Sequence, residues 1–308
     1  MDIQPVLSIV VPLFNEEPNL IPLYEKLTKI TNTISNNYEI IFVDDGSTDT
    51  SFSIIKKISS DDKHVKGISL SRNFGHQAAL TAGLESAKGK TVAMMDADLQ
   101  HPPELIKEMY ELYLQGFDVV NTRRMETKGN GYFKSISSRW FYKFLNTLSD
   151  FPIEPSSADF RLVSAKALEA FLQMRERNRF TRGMVNWVGF KQTYLSYTAS
   201  ERNAGSSKYT LKKMLSLGLN GITAFSSKPL RMAFYVGLLI FLFGIIYAIY
   251  AIVEYFSGKT IPGWTSILLS VLIIGGFQLL SLGIIGEYIA RIFNEVKARP
   301  LYLIKETT

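Results

Sequence analysis

The chain has 308 residues, enough for one sizeable domain and an appendage if a domain takes about 150. Lysine and arginine number 34 against 28 acids, a balance too mild for a nucleic-acid binder but compatible with anionic lipids or phosphorylated ligands. Cysteine is absent, which excludes disulfides, thiolate nucleophiles and cysteine-ligated zinc, and permits a reducing compartment.

The opening MDIQPVLSIVVPLFNEE carries an apolar run of strand length, preceded by an acid and without a basic leader. It predicts no secretory signal and a large domain that stays in the cytosol. After the strand LSIVVPLF, Leu20, Leu23, Tyr24, Leu27 and Ile30 recur at helical spacing, and YEIIFVDD follows as a second strand. The alternation continues through VKGISLS, a helical stretch from Gln77 to Ala87, TVAMMDAD, a helix opened by Pro102 and Pro103, and FDVVNTRR. These βαβ units predict an α/β domain with a mostly parallel sheet, whose strands read as continuous apolar runs because both faces are covered. Ligands of such sheets bind beyond the carboxyl ends of the strands, here PLFNEE, VDDGSTD, DADLQ and NTRR, all polar or charged. Further on, Trp140, Phe141, Phe144 and Leu148 form a stripe that fits a packed helix.

The last third changes character. Residues 202–253 contain no acid, while Arg202, Lys208, Lys212, Lys213, Lys228 and Arg231 supply cations. Within this stretch Leu211, Leu215, Gly218, Leu219 and Ile222 recur at helical spacing, as in an amphipathic helix lying at a membrane interface; an ordinary solvated basic face is the alternative. Residues 232–253 and 260–286 then carry no charge at all. Each run clears the roughly 20 apolar residues that cross a hydrocarbon core, although core helices of a large soluble protein would also be apolar. Cations flank the pair as Lys228 and Arg231 before and Arg291, Lys297 and Arg299 after, so both chain ends are expected in the cytosol.

Asp96 and Asp98 end the run TVAMM, and alternate residues of an extended segment point the same way, so both carboxylates can face one ion. Oxygen ligands of this kind suit Mg²⁺ or Mn²⁺, which could neutralise charge on a departing nucleoside diphosphate. Many surface turns also have the DxD spacing; the context here is a second acidic pair, Asp44 and Asp45, ending another strand before Gly46, Ser47, Thr48 and Asp49. The GSTD stretch is also expected to turn the chain and cap a helix through Ile55 with Ser47 or Thr48. His64, His76 and His101 are too scattered for a metal cluster or a triad, and His101 is expected only to shape the loop after DADLQ. Gly83 to Thr91 imitates a phosphate loop with the wrong glycine spacing and precedes a strand where it should follow one.

VVPLFNEE, VDDGSTD, LSRNFGHQAAL, MDADLQHPPE, ADFRL, RFTRG and RNAGSSKY, in this order over nearly the whole chain, resemble the polyprenyl-phosphate sugar synthases of glycosyltransferase family two. That group includes dolichol-phosphate mannose synthases and bacterial bactoprenol glucosyltransferases, and the two C-terminal spans are most similar to the latter. The resemblance implies a GT-A fold and a metal-dependent, inverting hexosyl transfer from a nucleotide sugar to polyprenyl phosphate for cell-surface glycan modification. UDP-glucose is the favoured donor; GDP-mannose, UDP-N-acetylglucosamine and amino-arabinose donors stay open. By the same resemblance Pro12, Asn15, Glu16, Asp44 and Asp45 would line the nucleotide pocket, and Arg123 would help hold the diphosphate or sugar. Asp96, Asp98 and Gln100 would hold metal and donor, Asp159 would stand at the reacting centre, and Arg202 and Lys208 would bind the acceptor phosphate. The expected division is a catalytic domain 1–201, juxtamembrane amphipathic helices 202–231, a transmembrane hairpin 232–290 and a cytosolic tail 291–308. The expected setting is the inner membrane, as a homo-oligomer joined through its membrane segments.

Three rivals fit less well. A dinucleotide oxidoreductase needs a glycine-rich turn after its first strand, and no glycine precedes Gly46. A processive polysaccharide synthase needs more membrane helices and, by family expectation, a QxxRW motif, where RGMVNW stands. A non-enzymatic membrane adaptor would keep the hairpin but has no use for acids at several strand ends.

Overall fold

A computed structural model of the chain describes residues 4–125, 157–177, 179, 181–198, 228–257 and 263–308. Strand β1 (Leu7–Leu13), helix α1 (Glu17–Ile34), β2 (Tyr38–Asp44), α2 (Ser51–Asp61), β3 (Val65–Leu70), α3 (His76–Ser86) and β4 (Thr91–Met94) alternate as the periodicity predicts. Then come α4 (Leu105–Leu114), β5 (Val119–Arg124), β6 (Ser157–Ser164), α5 (Ala165–Gln173), α6 (Thr181–Trp187) and β7 (Gln192–Tyr197). Two long helices, α7 (Lys228–Phe256) and α8 (Trp264–Val296), precede a last strand, β8 (Ile304–Thr307).

The described strands make one sheet in the order β7-β5-β6-β4-β1-β2-β3-β8. β1 pairs in parallel with both β2 and β4, and β2 with β3. β6 runs antiparallel between β4 and β5, and β8 antiparallel along β3. The sheet is therefore mostly parallel with antiparallel insertions, the GT-A arrangement that the resemblance implies. Because the chain winds outward from β1 to β3 and then returns to place β4 on the other side of β1, the strand order reverses between β1 and β4. A crevice opens there at the carboxyl ends.

Alternation along each strand divides the core between the two faces. Leu7, Ile9, Val11 and Leu13 of β1 pack with Leu20, Leu23 and Leu27 of α1 and Ile106 and Met109 of α4. Val10, with Ile41 and Val43 of β2, packs with Ala79, Leu80 and Ala82 of α3 and Leu168 and Phe171 of α5. Gly83 lets α3 lie this close: a Cβ there would stand 2.3 Å from Val10 Cγ1.

Two local expectations are corrected. Pro102 and Pro103 do not open the helix; their carbonyls accept from the Leu105 and Ile106 N–H groups in a turn, and α4 begins at Leu105. Nor does Ser47 or Thr48 cap α2, which begins at Ser51 behind Thr50 without a side-chain cap bond, because both residues are engaged with Asn15 of the neighbouring loop.

At the opposite end of the sheet Glu39, with its side chain 4% exposed, accepts from Ser8 Oγ at 2.6 Å, the Lys88 N–H at 2.6 Å and Lys66 Nζ at 2.5 Å. Burial alone would push its carboxyl up, but Lys66 and the two other donors outweigh burial and hold it below the ordinary 4.5. A depressed folded value contributes stability that is present above the ordinary value and lost as pH falls through the folded one. Glu39→Gln is expected to cost about 1–3 kcal/mol at neutral pH, with the gap to wild type closing below pH 4.5 in denaturant titrations.

α7 and α8 are 29 and 33 residues long, so at about 1.5 Å per residue each exceeds a hydrocarbon core about 30 Å thick. The windows Leu230–Tyr247 and Ile273–Val296 are apolar enough to cross a membrane, and their large side chains point outward, Phe243 being 71% and Leu279 72% exposed. Gly237 brings the two helices together at Phe277, whose ring lies 3.7 Å from where a Cβ would be. Beyond Val296 the chain turns at Ala298, with φ +46°, and re-joins the domain. The Ser71 N–H donates to the Leu303 carbonyl, and β8 covers the edge of β3.

Candidate functional site

A cleft of about 590 Å³ opens where the strand order reverses. Pro12, Phe14 and Glu16 come from the end of β1, Asp45 from β2, Gly75, His76 and Gln77 from the start of α3, Asp96 and Asp98 from beyond β4, Asp159 from β6, and Arg179 from the loop before α6. Six of the expected site residues, Pro12, Glu16, Asp45, Asp96, Asp98 and Asp159, thus meet in one place, on four strands or their continuations.

The loops hold one another. Asn15 adopts a left-handed backbone, φ +55°; its N–H donates to Ser47 Oγ at 2.9 Å, and its side-chain oxygen accepts from the Thr48 N–H at 2.8 Å. Gly46, φ +70°, lies so close to the Arg72 backbone that a Cβ would stand 2.5 Å from its carbonyl carbon. Asp45 is buried, and its two oxygens accept from the Phe74 N–H at 2.7 Å and the Gly75 N–H at 2.9 Å. Burial pushes its carboxyl up, against those two bonds. The strap Asn73–Gly75 that starts α3 therefore hangs on Asp45.

Asp96 is the centre of the polar cluster. Its Oδ1 lies 3.5 Å from His76 Nε2, and its N–H donates to His101 Nδ1 at 3.3 Å. His76 Nε2 is also 4.0 Å from Asp159 Oδ2, and Arg161 stands 3.5 Å from the other oxygen of Asp159. Asp98 Oδ1 accepts from the Gln100 N–H at 3.1 Å, across a turn in which Leu99 has φ +59°. His101 is buried, stacked on Phe160 with ring centroids 5.1 Å apart, and so fixes the loop after β4 as expected.

Other expected residues stand elsewhere. Asp44 does not line the cleft: it is buried, and its oxygens accept from the Ser47 N–H and Ser69 Oγ, which shape the turn behind Asp45. Gln100 enters through its backbone contact with Asp98. Arg123 lies on β5, beyond β6, with its guanidinium 5.3 Å from the Tyr194 ring centre and outside the cleft lining. Arg202, Lys208, the amphipathic stretch from Leu211 to Ile222, and the stripe Trp140, Phe141, Phe144 and Leu148 lie outside the described residues. The two basic residues of the lining, His76 in RNFGHQ and Arg179 in RFTRG, were not assigned a role from sequence. Their signal was the motif itself, since neither lies on a periodic face.

Among the described residues no group of three or more His, Asp or Glu side chains forms a cage for a metal. Two carboxylates at the end of one strand are the donor set of an ion that keeps waters and takes further oxygens from a phosphorylated ligand, which is Mg²⁺ or Mn²⁺ chemistry, not structural zinc. The Asp96–Asp98 pair fits such an ion.

Residues 8–172 match glycosyl transferase family 2, and residues 228–292 match the GtrB C-terminal hairpin. The uncharacterized glycosyltransferase YkcC of Bacillus subtilis is 45% identical over 97% of this chain and 93% of its own. The putative glycosyltransferase CsbB of the same organism is 43% identical over 98% and 92%. The bactoprenol glucosyl transferase of Shigella phage SfII is 39% identical over 98% of each chain.

Proposed function

Since the chain belongs to glycosyl transferase family 2, we propose that its cleft moves a sugar from a nucleoside diphosphate onto polyprenyl phosphate at a membrane surface. The observation that carries this reading is the meeting of Asp96, Asp98 and Asp159 in one cleft of a glycosyltransferase that also has two helices of membrane-crossing length. Similarity to a bactoprenol glucosyl transferase over nearly the whole chain supports the lipid acceptor and favours glucose from UDP-glucose.

In this reading Pro12, Asn15, Glu16 and Asp45 shape the nucleotide side of the cleft, with Asp44 bracing the turn behind them. Asp96 and Asp98 are the residues that would hold Mg²⁺ or Mn²⁺, and such an ion would supply positive charge against the departing diphosphate. An oxygen of the acceptor phosphate attacks the anomeric carbon as the bond to the diphosphate breaks on the opposite side, so configuration inverts. A phosphate monoester has a second pKa near 6 and is largely dianionic at neutral pH, so the attacking oxygen requires no strong base. Asp159, held beside Arg161 and His76, then orients the sugar and acceptor instead of removing a proton. α7 and α8 cross the inner membrane with both chain ends in the cytosol, and their outward apolar faces meet lipid or further copies of the chain.

A melting experiment tests the donor half. UDP with Mg²⁺ at about a hundred times its dissociation constant is expected to stabilise the protein by about 2.7 kcal/mol, while NAD leaves it unmoved. Equal melting temperatures with and without UDP and Mg²⁺ would remove the nucleotide from the site.

A further inference from the structure

Arg179 joins the membrane side of the molecule to the cleft. The residue is 7% exposed and lines the cleft. Its Nε donates to the Glu176 carbonyl at 3.3 Å, one terminal nitrogen donates to the Met174 carbonyl, and the other to Thr81 Oγ1 of α3 at 3.1 Å. A guanidinium has five N–H donors, so one on each terminal nitrogen has no hydrogen-bond partner among the described residues. That is enough for a two-point grip on a phosphate.

The loop that carries Arg179 also touches the end of the membrane hairpin. The Arg177 N–H donates to Glu295 Oε1, in the last turn of α8, at 2.9 Å. After α8 the chain returns over the same face, where the Tyr302 hydroxyl donates to Glu85 of α3. Glu85 in turn stands close enough to act on the charge of Arg179, opposing the burial that makes its cationic form costly.

Charge points the same way. The described lining carries five acids, Glu16, Asp45, Asp96, Asp98 and Asp159, and Arg179 is its permanent cation. One divalent ion at Asp96 and Asp98 leaves nothing for a second anionic substrate, which repulsion would keep out. Resting on the transfer reaction proposed above, we infer that Arg179, held by Thr81 Oγ1 and the Met174 and Glu176 carbonyls, receives the phosphate of the lipid acceptor, and that Tyr302 of the C-terminal tail supports that place through its bond to Glu85 on the same helix as Thr81. The donor diphosphate offers the same oxygens, so the test must separate the two sources.

Full-length protein in nanodiscs, with Mg²⁺, undecaprenyl phosphate and nucleotide sugar, provides that test. Arg179→Met is expected to raise the KM for undecaprenyl phosphate by about tenfold to a hundredfold while the KM for the nucleotide sugar stays within about twofold. Arg179→Lys keeps the charge but not the fork, and should recover part of the loss. Tyr302→Phe should raise the lipid KM by a smaller factor, about two- to fivefold, and carries the test together with Arg179→Lys if the methionine variant does not fold. Without donor, wild type should shift the phosphorus resonance of undecaprenyl phosphate, and Arg179→Met should not. An unchanged lipid KM, a rise in the nucleotide KM instead, or equal phosphorus shifts in both proteins overturns the assignment while leaving the transferase reading intact. A wild type that neither shifts the resonance nor transfers sugar overturns both.

Discussion

Asp96→Ala and Asp98→Ala proteins are each expected to lose sugar transfer by on the order of a thousandfold, the several kcal/mol that a Lewis acid contributes to a charged transition state. Both residues are partly exposed in the cleft, so neither change opens a hole in the core, and melting temperatures should stay near that of wild type. The loss should appear in kcat more than in the KM for the lipid, because in the proposed reaction the ion would act where the diphosphate departs. Chelation of wild type should reproduce it, and added Mg²⁺ or Mn²⁺ should reverse it. A folded Asp96→Ala protein with native kcat would show that these carboxylates do not serve the reaction.

Asp45→Ala is expected to act through the strap that begins α3. Its carboxylate is the acceptor for the Phe74 and Gly75 N–H groups, and removing it leaves both half-buried donors without that partner. A cost of about 1–3 kcal/mol follows. His76 is the next residue after that strap, so its imidazole should lose its place beside Asp96 and Asp159, and a displacement of about 1 Å can cost a hundredfold in kcat/KM. Asp45→Asn separates the two effects. Burial raises the Asp45 carboxyl above its ordinary 3.8, so the stability it contributes is present below that value and is lost as pH rises through the folded one. Wild type should therefore lose stability relative to Asp45→Asn as pH rises from 3.8 in denaturant titrations. A pH-independent difference would contradict the burial argument.

The alternation from β1 to β5 was legible because parallel strands covered on both faces leave continuous apolar runs, and LSIVVPL, YEIIFVD and TVAM are such runs. Asp96 and Asp98 were legible for the related reason that charge at the end of such a run has only the crevice to enter. The antiparallel seat of β6 between β4 and β5 was not, because pairing direction leaves no mark in the alternation of SADFRLVS. β8 was missed since IKET is an exposed edge strand, and with no buried face it reads as a polar tail. His76 and Arg179 were named within motifs but given no work, since their partners Asp96, Asp159 and Thr81 are far away in sequence and only the folded chain brings them together. Asp44 and Asp45 show the limit of reading adjacent acids as a pair: successive residues of a strand point to opposite faces, and only Asp45 reaches the cleft.

The most direct test is to reconstitute the purified full-length protein with undecaprenyl phosphate and Mg²⁺, supply UDP-glucose, GDP-mannose, UDP-N-acetylglucosamine and an amino-arabinose nucleotide one at a time, and weigh the lipid by mass spectrometry. The account predicts that the lipid phosphate gains one hexose from UDP-glucose, with UDP released in equal amount. A lipid whose mass is unchanged with every donor, or a sugar delivered only to water, would contradict it.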